Sequence, residues 1–316
     1  MQGYSRILIT GGAGFIGSHL VDRLMEKDLE VIVLDNLQTG KSENISRHTT
    51  RKNFRFVRGD VRNFDLVKNL VKDVDAVLHQ AAIVSVPQSL ENPILVNDVN
   101  VNATLNLLKA SVDFDVKRFV YASSCAVYGE AENLPIREDS GLRPLSPYGV
   151  SKLAAESYVR VFYEVFGLET VCLRYFNVYG PRQAVSDYSG VAARFMDHVA
   201  KNLDLEIFGD GEQTRDFVHI HDIAEANILA LGTKGIAGEA FNIGTGMSST
   251  INQLADMLLE VTNKTCLKVT HSKPAKGDIK HSVADISKAK TKMHYYPKIS
   301  LEEGLKDLTK SFGIRK

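Results

Sequence analysis

Tyr148 and Lys152 stand four residues apart in SPYGVSK (146–152), the spacing that places two side chains on one face of an α-helix. A phenol beside an ammonium is a proton-transfer pair, because the positive charge favours the ionised phenol and draws its pKa down from about 10. Ser146 fits the N-cap of that helix and Pro147 its first residue, and the helix N-terminus adds a second positive influence. A lone Tyr–Lys pair is usually a solvated helix face. Here Ser123 and Ser124 end the apolar run KRFVYASS (117–124), and a hydroxyl at the carboxyl edge of a sheet can share a proton with the tyrosine.

GGAGFIG (11–17) follows one apolar run and opens a helical pattern. Gly11 permits a tight turn, Gly14 lets backbone approach a pyrophosphate, and Gly17 allows close helix packing. Phosphates would then face a helix N-terminus, where free N–H groups and the macrodipole favour negative charge. Asp35 ends the next run, about 20 residues beyond the loop. A carboxylate there accepts hydrogen bonds from a ribose 2′-hydroxyl and repels a 2′-phosphate, which favours NAD over NADP.

The elements that must carry these groups alternate. RILIT (6–10), EVIVLD (30–35), NFRFVRGD (53–60), DAVLHQAA (75–82), KRFVYASS (117–124) and ETVCLRYFN (169–177) read as strands, each a continuous apolar run of the kind that crossover helices cover on both faces. Six such strands predict an α/β fold with a doubly wound parallel sheet of Rossmann type. After about residue 178 the elements shorten and Gly and Pro intervene. The expected organisation is therefore a cofactor-binding domain over 1–178 and a smaller α/β substrate-binding lobe over 179–316, with some segments able to return to the first domain.

Lys+Arg and Asp+Glu are equal at 38 each, so no net field draws nucleic acid or an anionic membrane. No leader-like segment opens the chain and no apolar run approaches the roughly 20 residues of a membrane span, so a cytoplasmic location is expected. Cys125, Cys172 and Cys266 are odd in number and far apart, which argues against a disulfide framework or a zinc finger and reads them as small buried hydrophobes.

GGAGFIG, Asp60, HQAA (79–82), SSCAVYG (123–129), YGVSK and RYFNVYGPR (174–182) together resemble the extended short-chain dehydrogenase/reductase family over nearly the whole chain. The resemblance implies Tyr148 as general acid/base, Lys152 as the residue that holds the nicotinamide ribose and tunes the tyrosine, and Ser124 as the bridge to the sugar hydroxyl. It implies NAD contacts at Gly11, Gly14, Phe15, Ile16, Gly17, Asp35, Asn36, Asp60, Val61, Ala81, Ala82, Asn100, Tyr148, Lys152 and Phe176. Asn177, Val191, Phe208, Arg215 and Asp278 fall where members grip a uridine diphosphate, and Arg215 offers a bidentate fork to phosphate oxygens.

The family serves epimerases, dehydratases, decarboxylases and reductases. Dehydratases carry an Asp–Glu pair where Cys125 and Ala126 stand, and decarboxylases a Glu at Ala126, so the motif resembles UDP-hexose 4-epimerases. In that reaction the sugar is oxidised at C4, the 4-keto intermediate rotates, and hydride returns to the other face with no net redox change. Ser282 aligns where a Tyr closes the pocket of glucose-restricted relatives, and a small residue leaves room for an acetamido group. Ser85 and Gln183 match polar positions of N-acetyl-accepting members, and Val84 replaces a lysine of the galactose enzymes. UDP-N-acetylglucosamine/UDP-N-acetylgalactosamine, with UDP-glucose/UDP-galactose, are the implied substrates. A reductase, which would consume free NAD(P)H, and a non-catalytic NAD-binding scaffold are the alternatives. Ala275 stands where many relatives have a phosphate-binding Arg, leaving Lys273 or Lys276 as replacements.

HIHD (219–222) offers two histidines at i and i+2. Its plainer reading makes Asp222 the cap of the next helix and the histidines structural, with no metal expected. His79 reads as a backbone-anchoring core residue. The Leu-rich stretch 100–111 reads as core, and the resemblance implies a homodimer formed through this region.

Overall fold

The computed structural model describes residues 3–184, 190–274 and 279–314. Its strands are β1 (Arg6–Thr10), β2 (Glu30–Asp35), β3 (Phe54–Arg58), β4 (Ala76–His79), β5 (Arg118–Ser124), β6 (Thr170–Tyr175), β7 (Asn177–Tyr179), β8 (Leu205–Phe208), β9 (Thr214–Arg215), β10 (Phe217–His219), β11 (Glu239–Ile243), β12 (Ser249–Thr250) and β13 (Val269–Ser272). The helices are α1 (Phe15–Met25), α2 (Phe64–Val71), α3 (Val86–Glu91), α4 (Pro93–Asn97), α5 (Ala103–Asp113), α6 (Pro147–Phe166), α7 (Val191–Ala200), α8 (Ile220–Gly232), α9 (Ile251–Thr262), α10 (Ser287–Met293) and α11 (Leu301–Ser311).

Among the described residues, seven strands form one sheet in the order β11-β6-β5-β4-β1-β2-β3, every pair parallel. The expected doubly wound Rossmann-type sheet is therefore present. β1, β4 and β6 are buried along almost their whole length, as strands covered on both faces must be. The strand order reverses between β1 and β4, the switch point at which such sheets open a crevice.

The six runs read from sequence are all strands, and β11 is a seventh. It pairs with β6, Phe241 opposite Leu173, so residues 239–243 return from the C-terminal part of the chain to the main sheet. Short strand pairs build the remainder: β10 with β7, β12 with β9, and β13 with β8.

One apolar cluster joins α1 and α8 to one sheet face, and a second joins α2, α5 and α6 to the other. A third fills the lobe between α7, α9 and α11. A small fourth cluster, of Val127, Tyr128, Ile136, Phe176, Ala284 and Ile286, lies where lobe and sheet meet. No described helix is long and apolar enough to cross a membrane.

Candidate active site

Helix α6 is set by local chemistry. The Ser146 side chain accepts the Gly149 N–H at 3.1 Å, Pro147 occupies the first turn, and Gly167 ends the helix at φ +71, a conformation that favours glycine. Its buried face carries Gly149, Lys152, Ala155, Glu156 and Val159. A Cβ on Gly149 would sit 2.7 Å from the Ala126 carbonyl oxygen, so glycine is what lets α6 approach the turn after β5. That approach brings Tyr148 onto Ser124, to which its phenol is hydrogen-bonded. Ser124 also caps the short turn over residues 125–127 by accepting the Ala126 N–H at 3.2 Å.

The two serines that end β5 have separate tasks. Ser123 donates to Glu156 Oε2 at 2.5 Å. Glu156 is paired with Arg174, whose Nη2 donates to Oε1 at 2.6 Å, with both side chains at most 2% exposed. Arg174 also donates to Tyr128 Oη at 2.7 Å, and Tyr128 to Asn242 Oδ1 at 2.6 Å. This network ties α6, β5, β6 and β11 together behind Ser124 and leaves the Ser124 hydroxyl for the pocket side.

Lys152 corrects the expected electrostatics. It is buried, donates to the Ala122 carbonyl at 2.8 Å and sits 5.1 Å from the Tyr121 ring centroid. Desolvation lowers its pKa to about 7, because burial disfavours the charged form. Desolvation likewise pushes the Tyr148 phenol up to about 12, opposed by the Ser124 hydrogen bond. Sharing a helix face has therefore not lowered the phenol, since the ammonium turns to a carbonyl and burial dominates both groups.

The glycine loop forms a cradle at the switch point. A Cβ on Gly17 would strike the Gly11 carbonyl oxygen, and one on Gly11 (φ +67) would lie 2.8 Å from the Ala81 nitrogen. The first turn of α1, with Gly14 as cap and Phe15 and Ile16 following, holds no acidic residue and no side-chain cap, so its N–H groups face an anion unopposed. Asp35 accepts the Ala13 N–H at 3.0 Å and the Leu37 N–H at 2.8 Å, which fixes its carboxylate beside the loop. Asn36 donates to Asp60 at 3.2 Å next to buried Val61, and the Arg62 guanidinium holds the Asp60 carboxyl down at about 2. Ala81 and Ala82 follow β4, the Ala81 N–H reaching Thr10 Oγ at 3.3 Å.

Two of the expected cofactor positions also carry structural contacts. The Asn100 side chain bonds the Ile83 backbone at 2.8 and 2.9 Å and Ser151 Oγ at 2.9 Å, so it pins this loop to α6. Phe176 is a core side chain of the lobe junction. The cradle fits a dinucleotide: a glycine turn no side chain can occupy, a helix N-terminus for phosphate, and a carboxylate at the end of β2 for ribose.

On the lobe side, Ser282 is buried and hydrogen-bonded to the Cys125 thiol, with Arg215 and Asp216 acting on the same thiol. Burial raises that thiol to about 11, so it remains protonated. The pocket thus brings Tyr148, Ser124, Cys125, Ser282 and Arg215 together. Asp216 lies beneath them, accepting the Thr245, Gly246 and Ala284 N–H groups at 2.8, 2.9 and 3.1 Å. Gln183 donates to the Val178 carbonyl at 3.3 Å while its buried Oε1 lacks a partner. The Arg194 guanidinium lies 4.7 Å from the Phe208 ring centroid. Ser85 caps α3 by accepting the Gln88 N–H at 3.0 Å. Asn177 opens β7 and Val191 opens α7. Asp278, Ala275 and Lys276 lie outside the described residues.

Further expectations change. Cys125 is half-buried in the pocket and Cys266 is exposed; only Cys172 is a buried hydrophobe. The cap of α8 is His219, and Asp222 instead accepts the Lys298 and Ile299 N–H groups at 2.9 and 3.2 Å. His79 does anchor the core, through side chains: its ring nitrogens meet Thr10 and Thr104 hydroxyls at 2.7 and 2.9 Å. Glu156, unremarked in sequence, had one available sign, a carboxylate on the apolar stripe of α6.

Comparison with known proteins gives a consistent picture. The putative UDP-glucose 4-epimerase of Methanocaldococcus jannaschii is 43% identical, over 95% of this chain and 96% of that protein. The UDP-N-acetylglucosamine 4-epimerase of Methanobrevibacter ruminantium, solved with UDP-N-acetylmuramic acid, is 38% identical with a TM-score of 0.93, covering 98% of each chain. The UDP-glucose 4-epimerase of Thermus thermophilus, solved with NAD, is 39% identical with a TM-score of 0.88, covering 98% of this chain and 99% of that one. The family model for the NAD dependent epimerase/dehydratase family matches residues 7–244. The chain belongs to that family, and NAD is its cofactor.

Proposed function

We propose that the protein is a UDP-hexose 4-epimerase that interconverts UDP-N-acetylglucosamine with UDP-N-acetylgalactosamine and also UDP-glucose with UDP-galactose. The observation that carries this reading is the hydrogen-bonded Ser124–Tyr148 pair, with the neutral, protonated Cys125 beside it. One acid/base suffices for epimerisation at C4, and the turn after β5 lacks the carboxylates a dehydratase or decarboxylase uses.

In this reading Tyr148 Oη takes the proton from the sugar C4 hydroxyl and returns it, while Ser124 Oγ holds the two oxygens in line. NAD, when bound, would supply the hydride acceptor and a positive charge. The phenol needs such a charge, because burial alone leaves it protonated at neutral pH. Lys152, already desolvated, binds the ribose and orients Tyr148. The glycine loop, Asp35, Asn36, Asp60 and Val61 hold the dinucleotide. Asn177, Val191, Phe208 and Arg215 hold the nucleotide end of the substrate, and Ser85, Gln183 and Ser282 bound the sugar.

Residues 1–178 together with α8, β11 and α10, which pack on or in the main sheet, make up the cofactor-binding half, and the rest of 179–316 the substrate lobe. The expected contact with a second copy moves from the 100–111 stretch, whose apolar residues are mostly buried, to the exposed apolar stripe of Val150, Tyr158, Val161 and Val165 on α6, continued by Leu90 and Ile94. Unpaired cysteines suit a cytoplasmic enzyme. Incubation with each UDP-sugar, with C4 configuration read by proton NMR, tests the reading. Galacto epimers without net NADH support it, and stoichiometric consumption of NADH would replace it with a reductase.

A further inference from the structure

We infer that the protein binds a divalent transition-metal cation of the zinc, nickel and cobalt class between the end of β10 and helix α11, through His219, His221 and Asp307. One ligand atom from each residue lies within 4.8 Å of the other two. His219 Nε2 is 3.5 Å from Asp307 Oδ2, the separation of two ligands on a tetrahedral ion whose bonds are about 2.0–2.2 Å long.

A second observation points to a ligand. His219 is 1% exposed and its Nε2 has no hydrogen-bond partner, a costly state for a buried polar atom. The ring is already oriented. It packs edge-on to Tyr179 at 5.4 Å and to His221 at 4.9 Å between centroids. With an ion on Nε2 the ring proton moves to Nδ1, so the contact that opens is the long one, 3.4 Å, from the His221 N–H.

The C-terminal helix is shaped to this spot. A Cβ on Gly304 would strike Tyr179 Oη and lie 2.9 Å from His219 Cδ2, so glycine seats α11 against the histidine. Asp307 follows one helical turn later on the same face. His221 is exposed and Asp307 half-exposed, which gives an ion an entry path and leaves room for water as a fourth ligand. Two imidazoles and one carboxylate suit borderline cations, whereas magnesium and calcium prefer oxygen alone. The ion links β10, α8 and α11, none of which carries Ser124, Tyr148 or Lys152, so its role is to fasten α11.

The test uses the full chain stripped of metal by a chelator and titrated with Co2+ and then Zn2+. One Co2+ per chain is expected, with visible absorption of a tetrahedral nitrogen–oxygen site, displaced by Zn2+, and Zn2+ should raise the melting temperature. His221→Asn and Asp307→Asn should each weaken binding at least about tenfold while keeping epimerase turnover, which shows that they fold. Substoichiometric binding, or full binding in both variants, overturns the assignment. Anomalous scattering at the zinc edge from soaked wild-type crystals needs no variant: a peak among the three side chains supports the site, and a peak only elsewhere refutes it.

Discussion

The Ser282 hydroxyl is hydrogen-bonded to the Cys125 thiol, so the turn after β5 and the segment between β13 and α10 meet through a polar contact at the sugar pocket. Ser282 is 4% exposed, and a larger residue there must take volume from that pocket. Ser282→Tyr should lower kcat/KM for UDP-N-acetylglucosamine by about tenfold or more relative to UDP-glucose, as a steric misfit of this size does. Steady-state kinetics on both sugars checks this, and equal losses would remove Ser282 as the selective wall.

Tyr148→Phe keeps the ring and deletes the group that touches Ser124. Turnover should fall by about 10²–10⁴, the usual worth of a positioned acid/base, with UDP binding by calorimetry nearly unchanged. A variant of wild-type activity would place the proton relay elsewhere.

Glu156→Gln breaks a pair in which neither side chain is more than 2% exposed. Leaving Arg174 buried without its counter-charge should cost about 3–5 kcal/mol of stability, read by urea unfolding. A loss below about 1 kcal/mol, the value of an exposed pair, would mean that water reaches Arg174.

Lys152 makes stability depend on pH in the cofactor-free protein. Its pKa falls from 10.5 to about 7 on folding, so between these values the unfolded chain binds a proton that the native chain does not. Native stability then rises with pH across that window and carries the full penalty below it. Lys152→Met should therefore stabilise the cofactor-free protein at pH 6, with the advantage shrinking toward pH 10. Parallel melting curves across the range would refute this.

What sequence makes legible here is local. The cap, proline and i, i+4 spacing of 146–152 specify α6 and its Tyr–Lys face, and the glycine loop specifies the cradle, because each depends on neighbours a few residues away. Strands β1, β2, β4, β5 and β6 announce themselves as mainly apolar runs, and β3, FRFVR at the sheet edge, as an alternating one. β11 did not, since EAFNI is short and becomes a strand only by pairing with β6. The direction of the Lys152 side chain and the place of Cys125 also escaped, because both depend on which distant groups fold beside them. For Asp222 the reason is chemical: an acidic residue in the first turn of α8 resembles a cap, and the preceding His219 fills that place instead.

The sheet order has a consequence for how the chain assembles. β6 lies between β5 and β11, so until residues 239–243 are in place β6 offers an open edge of backbone N–H and C=O groups. During synthesis the cofactor-binding half emerges first and must wait for much of the lobe before that edge is covered. An unpaired strand edge of this kind is a template for mispairing between chains. By closing that edge, β11 protects the nascent sheet from its own copies before the finished protein ever meets a substrate.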